Sequence, residues 1–353
     1  MPIRIAYALP GTGLSGGVKV VLEQVLRLNR WPWFEATAVA AGPYPDWFGV
    51  ENLPLIPADP LDFDFSRFDV IVTTFYTQGE LWMTWADKTL VHFCQGFEGD
   101  YAEAVEKAEH LPIIDRFYRN AAVIATVSEP LRRRLRRFGG RVFSIGQGLD
   151  PRVFRPRSQA TETDPAILIV GPFDLPFKGV AEALQVAREV KRLRPRVRIW
   201  RASPSDTRRL EGAICAADDY RLAMLPQQMA DLYRRADLLL YLPSQEGFGL
   251  PLIEAMACGT PVIAGAIEPF QDICRNRYPL VDLSEPSRAV AATLNLLDHP
   301  EQAWCLRPIG FAIARRYRYW KVIPKLLGLI LYAHSHSHSR TQSRRRSKPG
   351  TRS

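Results

Sequence analysis

The sequence is poor in cysteine, and its cysteines are not spaced as pairs. Its 353 residues include five, Cys94, Cys215, Cys258, Cys274 and Cys305, an odd number without a Cys-x-x-Cys pair. This pattern argues against a disulfide scaffold and favours a reducing compartment. We therefore expect a cytoplasmic protein.

Long hydrophobic runs are also missing. No apolar stretch reaches the ~18 residues of a membrane-spanning helix. The best candidate, residues 322–332, is broken by Pro324 and Lys325. The chain enters an apolar strand directly at its start, so no signal peptide is expected. Any membrane contact should therefore be peripheral, at the inner face of the membrane.

Acidic residues are absent from the C-terminal tail. From Ala333 to the end there are six basic residues and no acid, so the net charge of +9 falls to +3 for the rest of the chain. The positive charge belongs to a tail rather than to a nucleic-acid groove, and no nucleic-acid partner is expected. A segment of Ser, His and Arg buries too little apolar surface to fold. Residues 333–353 are therefore predicted to form a disordered basic tail.

Apolar runs alternate with helical patterns along most of the chain. Strand-like runs occur at 3–9, 36–41, 70–74, 90–94 and 122–127, and again at 166–170, 197–201, 220–225, 238–242 and 261–264. Strands that alternate with helices form parallel sheets. The fold class is thus predicted as α/β with two Rossmann-like domains, whose ligand crevice lies at the carboxyl ends of the strands.

The domain boundaries follow from composition. A stretch at 151–164 that contains Pro, Ser and Thr is typical of a linker, so we predict domains at 1–155 and 156–305. C-terminal helices at 306–332 should be interrupted at Pro308 and Pro324 and cross back to the first domain.

A glycine-rich loop follows the first strand. Gly11-Thr-Gly13-Leu-Ser-Gly16 fits a dinucleotide-binding pattern, but the second strand ends in Ala40-Ala41-Gly42 without the ribose-binding acid. A nicotinamide cofactor is therefore disfavoured. Gly16 and Gly17 would let an anion approach the amides of a helix N-terminus. The alternative is a capped helix with no ligand.

The segment 243–262 carries the strongest functional signal. A buried strand is followed by the loop Glu246-Gly247-Phe248-Gly249 and by a helix that begins near Leu250 and Pro251 and ends at Gly259. Free amides at this helix start should form a phosphate seat. Glu246 precedes the seat and Glu254 follows it. Two carboxylates around a phosphate repel it unless each faces a hydroxyl-bearing ring, which points to a nucleotide sugar.

This segment resembles the signature of retaining GT-B glycosyltransferases, especially glycosyltransferase family 4. Weaker similarity at Gly171…Lys178-Gly179, at 145–156 and at 15–21 extends the resemblance over residues 3–332. The resemblance implies a GT-B fold and transfer of a sugar, with retention, from a nucleoside-diphosphate sugar to a glycan or lipid-linked acceptor.

The resemblance also implies residue roles. Glu254 would hold the ribose and Glu246 the donor sugar, while Lys178 would neutralise the departing diphosphate. The implied catalytic residues are Glu246, Lys178 and Gln95, and the implied donor-binding residues are Gly16, Gly17, Gly171, Lys178, Glu246, Gly247, Phe248, Gly249, Leu250 and Glu254. No cofactor and no metal are expected, because Asp62-Phe-Asp64 precedes a strand instead of following one.

The sequence departs from the family pattern at two places. Pro172 replaces a basic residue of the phosphate motif, so Lys178 acts alone or with a distant arginine such as Arg201. Gln95 aligns with a histidine that many members place beside the donor sugar, with His92 as the alternative.

The acceptor side is less constrained. Its candidate residues are His92, Gln95, Glu98 and Asp100. The arginines between Arg132 and Arg137 could contact an anionic membrane or form a solvated helix face. Two further functions remain open: a catalytically impaired nucleotide-sugar-binding protein and a nucleotide-sugar epimerase of the same fold.

Overall fold

The computed structural model describes residues 1–104, 108–156 and 164–346. The first domain contains one parallel sheet with the order β3-β2-β1-β4-β5-β6-β7. Its strands are β1 (Ile3–Leu9), β2 (Phe34–Ala40), β3 (Leu55–Pro57), β4 (Val70–Thr73), β5 (Thr89–Cys94), β6 (Val123–Thr126) and β7 (Arg141–Ser144). Its helices are α1 (Gly16–Leu28), α2 (Leu81–Thr84), α3 (Glu98–Ala104), α4 (Leu111–Asn120) and α5 (Glu129–Leu135).

The second domain contains a five-stranded parallel sheet with the order β10-β9-β8-β11-β12. Its strands are β8 (Ala166–Val170), β9 (Arg198–Ser203), β10 (Asp219–Leu222), β11 (Leu238–Tyr241) and β12 (Val262–Ala264). The helices from here to the C-terminus are α6 (Val180–Leu193), α7 (Arg208–Gly212), α8 (Pro226–Arg235), α9 (Leu250–Cys258), α10 (Glu268–Cys274), α11 (Pro286–Asp298), α12 (Pro300–Ala314) and α13 (Tyr319–Arg346).

The central strands are buried on both faces, which explains their unbroken apolar sequences. Every residue of β8 and of β11 is buried. Helices cover both sides of such a sheet, so both faces of each strand must be apolar. The predicted α/β class with two Rossmann-like parallel sheets is confirmed by this arrangement.

The C-terminal helices differ from the prediction. Pro308 and Pro324 lie inside α12 and α13, and the break falls between the two helices, at 315–318. A proline removes one helical hydrogen bond, and tertiary packing offsets that loss. The chain turns instead where the Leu149 amide donates to Tyr317 O at 2.7 Å.

The basic tail also differs. Helix α13 continues to Arg346, whereas composition predicted disorder from residue 333. Extending an existing helix needs no new nucleus, so a polar sequence can continue one that apolar packing has started. Residues 347–353 of the predicted tail lie outside the described residues. Within the part of the chain that the structure describes, no helix is long and apolar enough to span a bilayer.

Candidate active site

A crevice of about 900 Å³ separates the two domains at the carboxyl ends of their central strands. Most predicted donor-side residues line it: Gly16, Gly17, Gly171, Lys178, Glu246, Phe248, Gly249, Leu250 and Glu254. Gly247 is not among the lining residues, but a Cβ atom on it would come within 1.8 Å of the Gln95 carbonyl oxygen. Only glycine permits this approach between the two domains.

The start of α9 opens into the crevice. Gly249 precedes the helix with φ of 103°, and a Cβ there would lie 2.3 Å from the Phe270 ring. This left-handed residue turns the loop sharply into the helix. The first amides of a helix have no intrahelical acceptor and carry the positive end of its dipole. The start of α9 can therefore present free amides to an anion, and its use as a phosphate seat stays a prediction.

The start of α1 opens at the same place from the first domain. Ser15 caps this helix by accepting a hydrogen bond from the Val18 amide at 3.1 Å. A Cβ on Gly16 would lie 3.5 Å from Leu250 Cδ1, at the start of α9. Two helix N-termini thus converge, and both favour an anion between them.

Glu246 is paired within the second domain. Its Oε1 accepts a 2.8 Å hydrogen bond from Lys178 Nζ and a further one from the Tyr241 hydroxyl. Tyr241 is the last residue of β11, so a strand end positions the carboxylate. The second carboxylate oxygen is the acceptor that remains for a sugar hydroxyl.

Glu254 is paired across the crevice. Its Oε1 accepts a 2.7 Å hydrogen bond from Lys19 Nζ of α1, and its Oε2 accepts a 3.3 Å bond from the Tyr233 hydroxyl. Glu254 is only 6% exposed. A buried carboxylate of this kind needs such partners, because an unpaired charge is costly away from water.

Gln95 fixes the glycine loop. Its amide nitrogen donates to the Gly17 carbonyl at 3.0 Å, and its oxygen accepts from Gln147 at 3.2 Å. Gln95 and Gln147 both line the crevice. Gln95 is thus placed beside the helix start of α1 and can offer only amide hydrogen bonds to a sugar.

His92 lies in the core of the first domain rather than in the crevice. It has no exposed surface, and its ring nitrogens lie 3.2 Å from the Thr73 hydroxyl and 3.2 Å from the Tyr118 hydroxyl. Burial lowers its pKa to about 3. In this position His92 cannot contact an acceptor, so Gln95 is the one of the two that the structure brings to the crevice.

Glu98 is a buried acid at the start of α3 that also borders the crevice. Its carboxylate is hydrogen-bonded to the Tyr118 hydroxyl. Burial raises its pKa to about 7, although that hydrogen bond acts in the opposite direction.

The one metal-ligand group within the described residues is His92, Cys94 and Glu98. Their ligand atoms lie within 4.8 Å of one another. The Tyr118 hydroxyl bonds to Cys94 at 3.1 Å and also contacts the other two. The tyrosine therefore already fills the position that an ion would need.

Two further predicted residues lie away from the crevice. Arg201 is fully buried and bonds Glu211 through its Nε, at 2.8 Å, and its Nη2, at 3.1 Å. It also donates a hydrogen bond to the Gly171 carbonyl. Arg201 therefore supports the backbone next to Pro172 from the buried side, and its charge cannot replace the basic residue that is missing there. Asp100 pairs with Arg134 instead of facing the crevice.

Sequence reasoning missed Lys19, Tyr233, Tyr241 and Gln147. Tyr241 could have been found, because it ends a buried parallel strand directly before the Glu246 loop. Lys19 carried a weaker signal, as the first cation after the glycine loop. Tyr233 and Gln147 lie on an adjacent helix and in the domain-crossing segment, and nothing local marks them.

The chain is similar in sequence to known glycosyltransferases. Residues 164–299 match the family model of glycosyl transferases group 1. The D-inositol 3-phosphate glycosyltransferase of Segniliparus rotundus is 32% identical over 195 residues, which are 50% of this chain and 43% of that protein. The enzyme of the same name from Thermobispora bispora is 25% identical over an alignment that covers 87% of this chain and 88% of that protein.

Solved structures share the whole architecture. Sucrose-phosphate synthase from Thermosynechococcus elongatus has a TM-score of 0.76 at 22% identity, covering 95% of this chain and 100% of the other. Anabaena HepE in complex with UDP-glucose has a TM-score of 0.75 at 12% identity, covering 94% and 100%. At these identities the likeness shows the fold. The chain therefore has the GT-B fold of these structures, and its segment 164–299 is similar to the glycosyl transferases group 1.

Proposed function

We propose that the protein is a retaining glycosyltransferase that moves a sugar from a nucleoside-diphosphate sugar to an acceptor hydroxyl without a metal ion. The observation that carries the proposal is the order of groups along the crevice. Glu246 and Lys178 stand on one side of the helix N-terminus of α9, and Glu254 stands one helical turn beyond it. A sugar, a diphosphate and a ribose fit these three positions in that order.

The chemistry follows from the charges. As the bond between the sugar C1 and the diphosphate oxygen breaks, negative charge grows on the diphosphate. The Lys178 ammonium and the helix amides stabilise that charge. The acceptor oxygen forms the new bond to C1, and its proton passes to the departing phosphate. Transfer on one face of the sugar retains configuration and needs no side-chain base, which suits Gln95.

The acceptor enters from the first domain in this proposal. Glycan, lipid-linked and other envelope precursors are the acceptor classes to test. D-inositol 3-phosphate is a further acceptor to test, because the two relatives are named D-inositol 3-phosphate glycosyltransferases. Helix α5 would contribute less attraction to an anionic membrane than its arginines suggest, because three of them are paired with acids. The pairs are Arg132–Glu129, Arg133–Glu268 and Arg134–Asp100.

The test begins with the donor. A thermal-shift panel of nucleotide sugars identifies the donor, because a bound ligand raises stability by mass action. We then expect Glu246→Gln to lower donor turnover by about 10²–10³-fold, the scale for removing one preorganised polar group. Turnover of the wild type should be the same with and without EDTA.

Glu182→Gln is the matched control, since Glu182 is an exposed acid on α6 in the same domain. It should leave turnover unchanged. Equal turnover of the Glu246 and Glu182 variants would refute the assignment. A product of inverted anomeric configuration, read by NMR, would refute retention while leaving transfer intact.

A further inference from the structure

The donor-phosphate site of this chain has one positive charge fewer on its own domain than the family pattern predicts. Pro172 follows Gly171 where the family pattern has a basic residue. Arg201, the distant arginine considered as a substitute, is buried against Glu211. Among the described residues, the cations that line the crevice are Lys178 and Lys19.

Lys19 comes from the other domain and is held close to the seat. It is the fourth residue of α1, and its Nζ lies 2.7 Å from Glu254 Oε1 and 4.8 Å from the centre of the Phe154 ring. Glu254 is four residues beyond Leu250, which places it about 6 Å along the helix axis from the α9 N-terminus. A lysine side chain can span that distance by changing rotamers.

The number of hydrogen bonds that the two groups can form allows Lys19 to bind a phosphate and Glu254 at the same time. An ammonium group has three N–H donors, and the bond to Glu254 uses one of them. A carboxylate has about four lone-pair sites, so Glu254 can accept from a ribose hydroxyl while it keeps Lys19. The contact with Glu254 thus aims Lys19 at the converging starts of α1 and α9.

We propose that Lys19 is a donor-binding residue that supplies, from the first domain, the positive charge that Pro172 removes from the phosphate motif. This inference rests on the proposed function, because it requires a nucleoside-diphosphate donor in the crevice. It also makes neutralisation of the diphosphate depend on the approach of the two domains. Lys178 would act from one side of the phosphates and Lys19 from the other.

The test separates phosphate binding from ribose binding. UDP, GDP and ADP, each with its nucleoside, are titrated calorimetrically into the wild type, and the diphosphate that binds most tightly is carried forward with its nucleoside. Lys19→Met should weaken the diphosphate by about 10- to 100-fold, the scale of one lost charge-assisted hydrogen bond. Nucleoside binding should remain unchanged, and Lys19→Arg should recover part of the loss.

Glu254→Gln provides the background that isolates the phosphate contact. The double variant Lys19→Met/Glu254→Gln leaves no unpaired buried carboxylate, so it also guards against a folding defect in the single variant. The diphosphate affinity of Glu254→Gln should still fall when Lys19→Met is added. Lys191→Met, which removes a half-buried lysine that pairs with Asp218 on the second domain, is the charge control and should bind like the wild type.

Three outcomes would overturn the inference. In the first, Lys19→Met weakens the nucleoside and the diphosphate by the same factor. In the second, its effect disappears in the Glu254→Gln background, so that Lys19 serves only to position Glu254. In the third, Lys19→Met binds the diphosphate as tightly as the wild type does. A wild type that binds none of the nucleotides would instead refute the proposed function, and this inference with it.

Discussion

At the scale of single residues, Glu98 is held in an environment that disfavours its charge. It is 5% exposed, and its neighbours are the neutral His92, the Cys94 thiol and the Tyr118 hydroxyl. Burial raises the pKa of Glu98 to about 7 and lowers that of His92 to about 3. Near neutral pH His92 is therefore uncharged, and Glu98 is close to the pH at which it loses its carboxyl proton.

We predict that Glu98 makes the protein less stable as the pH rises from about 4.5 to about 7. In that window the folded state keeps a proton that the unfolded state has released, so the free energy of unfolding falls. A pKa displaced from 4.5 to about 7 corresponds to about 3 kcal/mol. Glu98→Gln, which is neutral at every pH, should remove this dependence and be more stable than the wild type at about pH 8.

Urea unfolding at several pH values measures the effect as the difference between wild type and variant. Taking the difference removes the contribution of His92, which acts in the opposite direction and lowers stability as the pH falls from 6.5 towards about 3. Glu109→Gln, at a carboxylate 70% exposed, is the control and should follow the wild type. Parallel pH curves for Glu98→Gln and wild type would contradict the prediction, because they would show that Glu98 has the same pKa in the folded and unfolded states.

At the scale of elements, the sequence predicts those strands and helices whose apolar residues are buried in a core. The bounds of β1, β8 and α6 agree with their apolar patterns because most of their apolar residues are buried in a core. The edge strands β3 and β7 were missed, since their side chains are half-exposed or exposed and leave no periodic signal. They form only because a neighbouring strand, distant in sequence, offers hydrogen bonds to pair with.

The turn between Lys178 and α6 depends on Gly179, which helps to position Lys178 beside Glu246. Gly179 has φ of 65°, and a Cβ on it would lie 1.8 Å from the Leu242 carbonyl oxygen. That carbonyl belongs to the segment leading from β11 to the Glu246 loop. The contact therefore keeps Lys178 and Glu246, 68 positions apart in sequence, at 2.8 Å.

We predict that Gly179→Ala destabilises the protein by at least about 1–2 kcal/mol, the cost of a left-handed conformation for alanine, with the steric overlap added to it. Because the overlap is with backbone, it should also displace Lys178 and weaken diphosphate binding. Gly212→Ala is the matched control in the same domain, since no atom lies within 4 Å of a Cβ there. Equal urea midpoints for the two variants would contradict the prediction.

At the scale of the whole molecule, only those residues of the candidate site that lie in local sequence motifs could be predicted. Glu246, Lys178 and Glu254 stand in motifs of the second domain whose spacing has chemical meaning. Lys19 contacts Glu254 across 235 positions of sequence, and Gln147 contacts Gln95 across 52. Both contacts join segments that are distant in sequence, and the first also depends on how the two domains face each other. No local pattern encodes either.

The C-terminal helices hold the domains in that relation. Helix α12 packs on α9 of the second domain, and α13 packs on α1 and β5 of the first. Between them the chain pairs with Leu149, in the segment where it first leaves the first domain. Both crossings between the domains therefore lie side by side, next to the helix that carries Lys19.

Tyr319, the first residue of α13, lies at the centre of this crossing. A Cβ on Gly148 would come within 2.0 Å of its ring, and the Arg27 guanidinium lies 3.6 Å from the ring centre. Arg27 in turn pairs with Asp150 at 2.9 Å. Hydrogen bonds from Arg152 and, to a smaller extent, from Arg27 outweigh the effect of burial and lower the pKa of that carboxyl to about 2. One buried ring thus supports α1, the outgoing segment and the returning helix together.

We predict that Tyr319→Ala destabilises the protein by about 3–5 kcal/mol, as expected for deleting a buried aromatic ring. Trp320→Ala removes the adjacent, larger ring, but Trp320 is 64% exposed and its loss should cost no more than about 0.5 kcal/mol. Urea unfolding of both variants gives the comparison. Because α1 loses its support in Tyr319→Ala, its diphosphate affinity should also fall when measured well below the unfolding midpoint. A Tyr319 variant that is destabilised yet binds the nucleotide normally would mean that the crossing stabilises the fold without positioning Lys19.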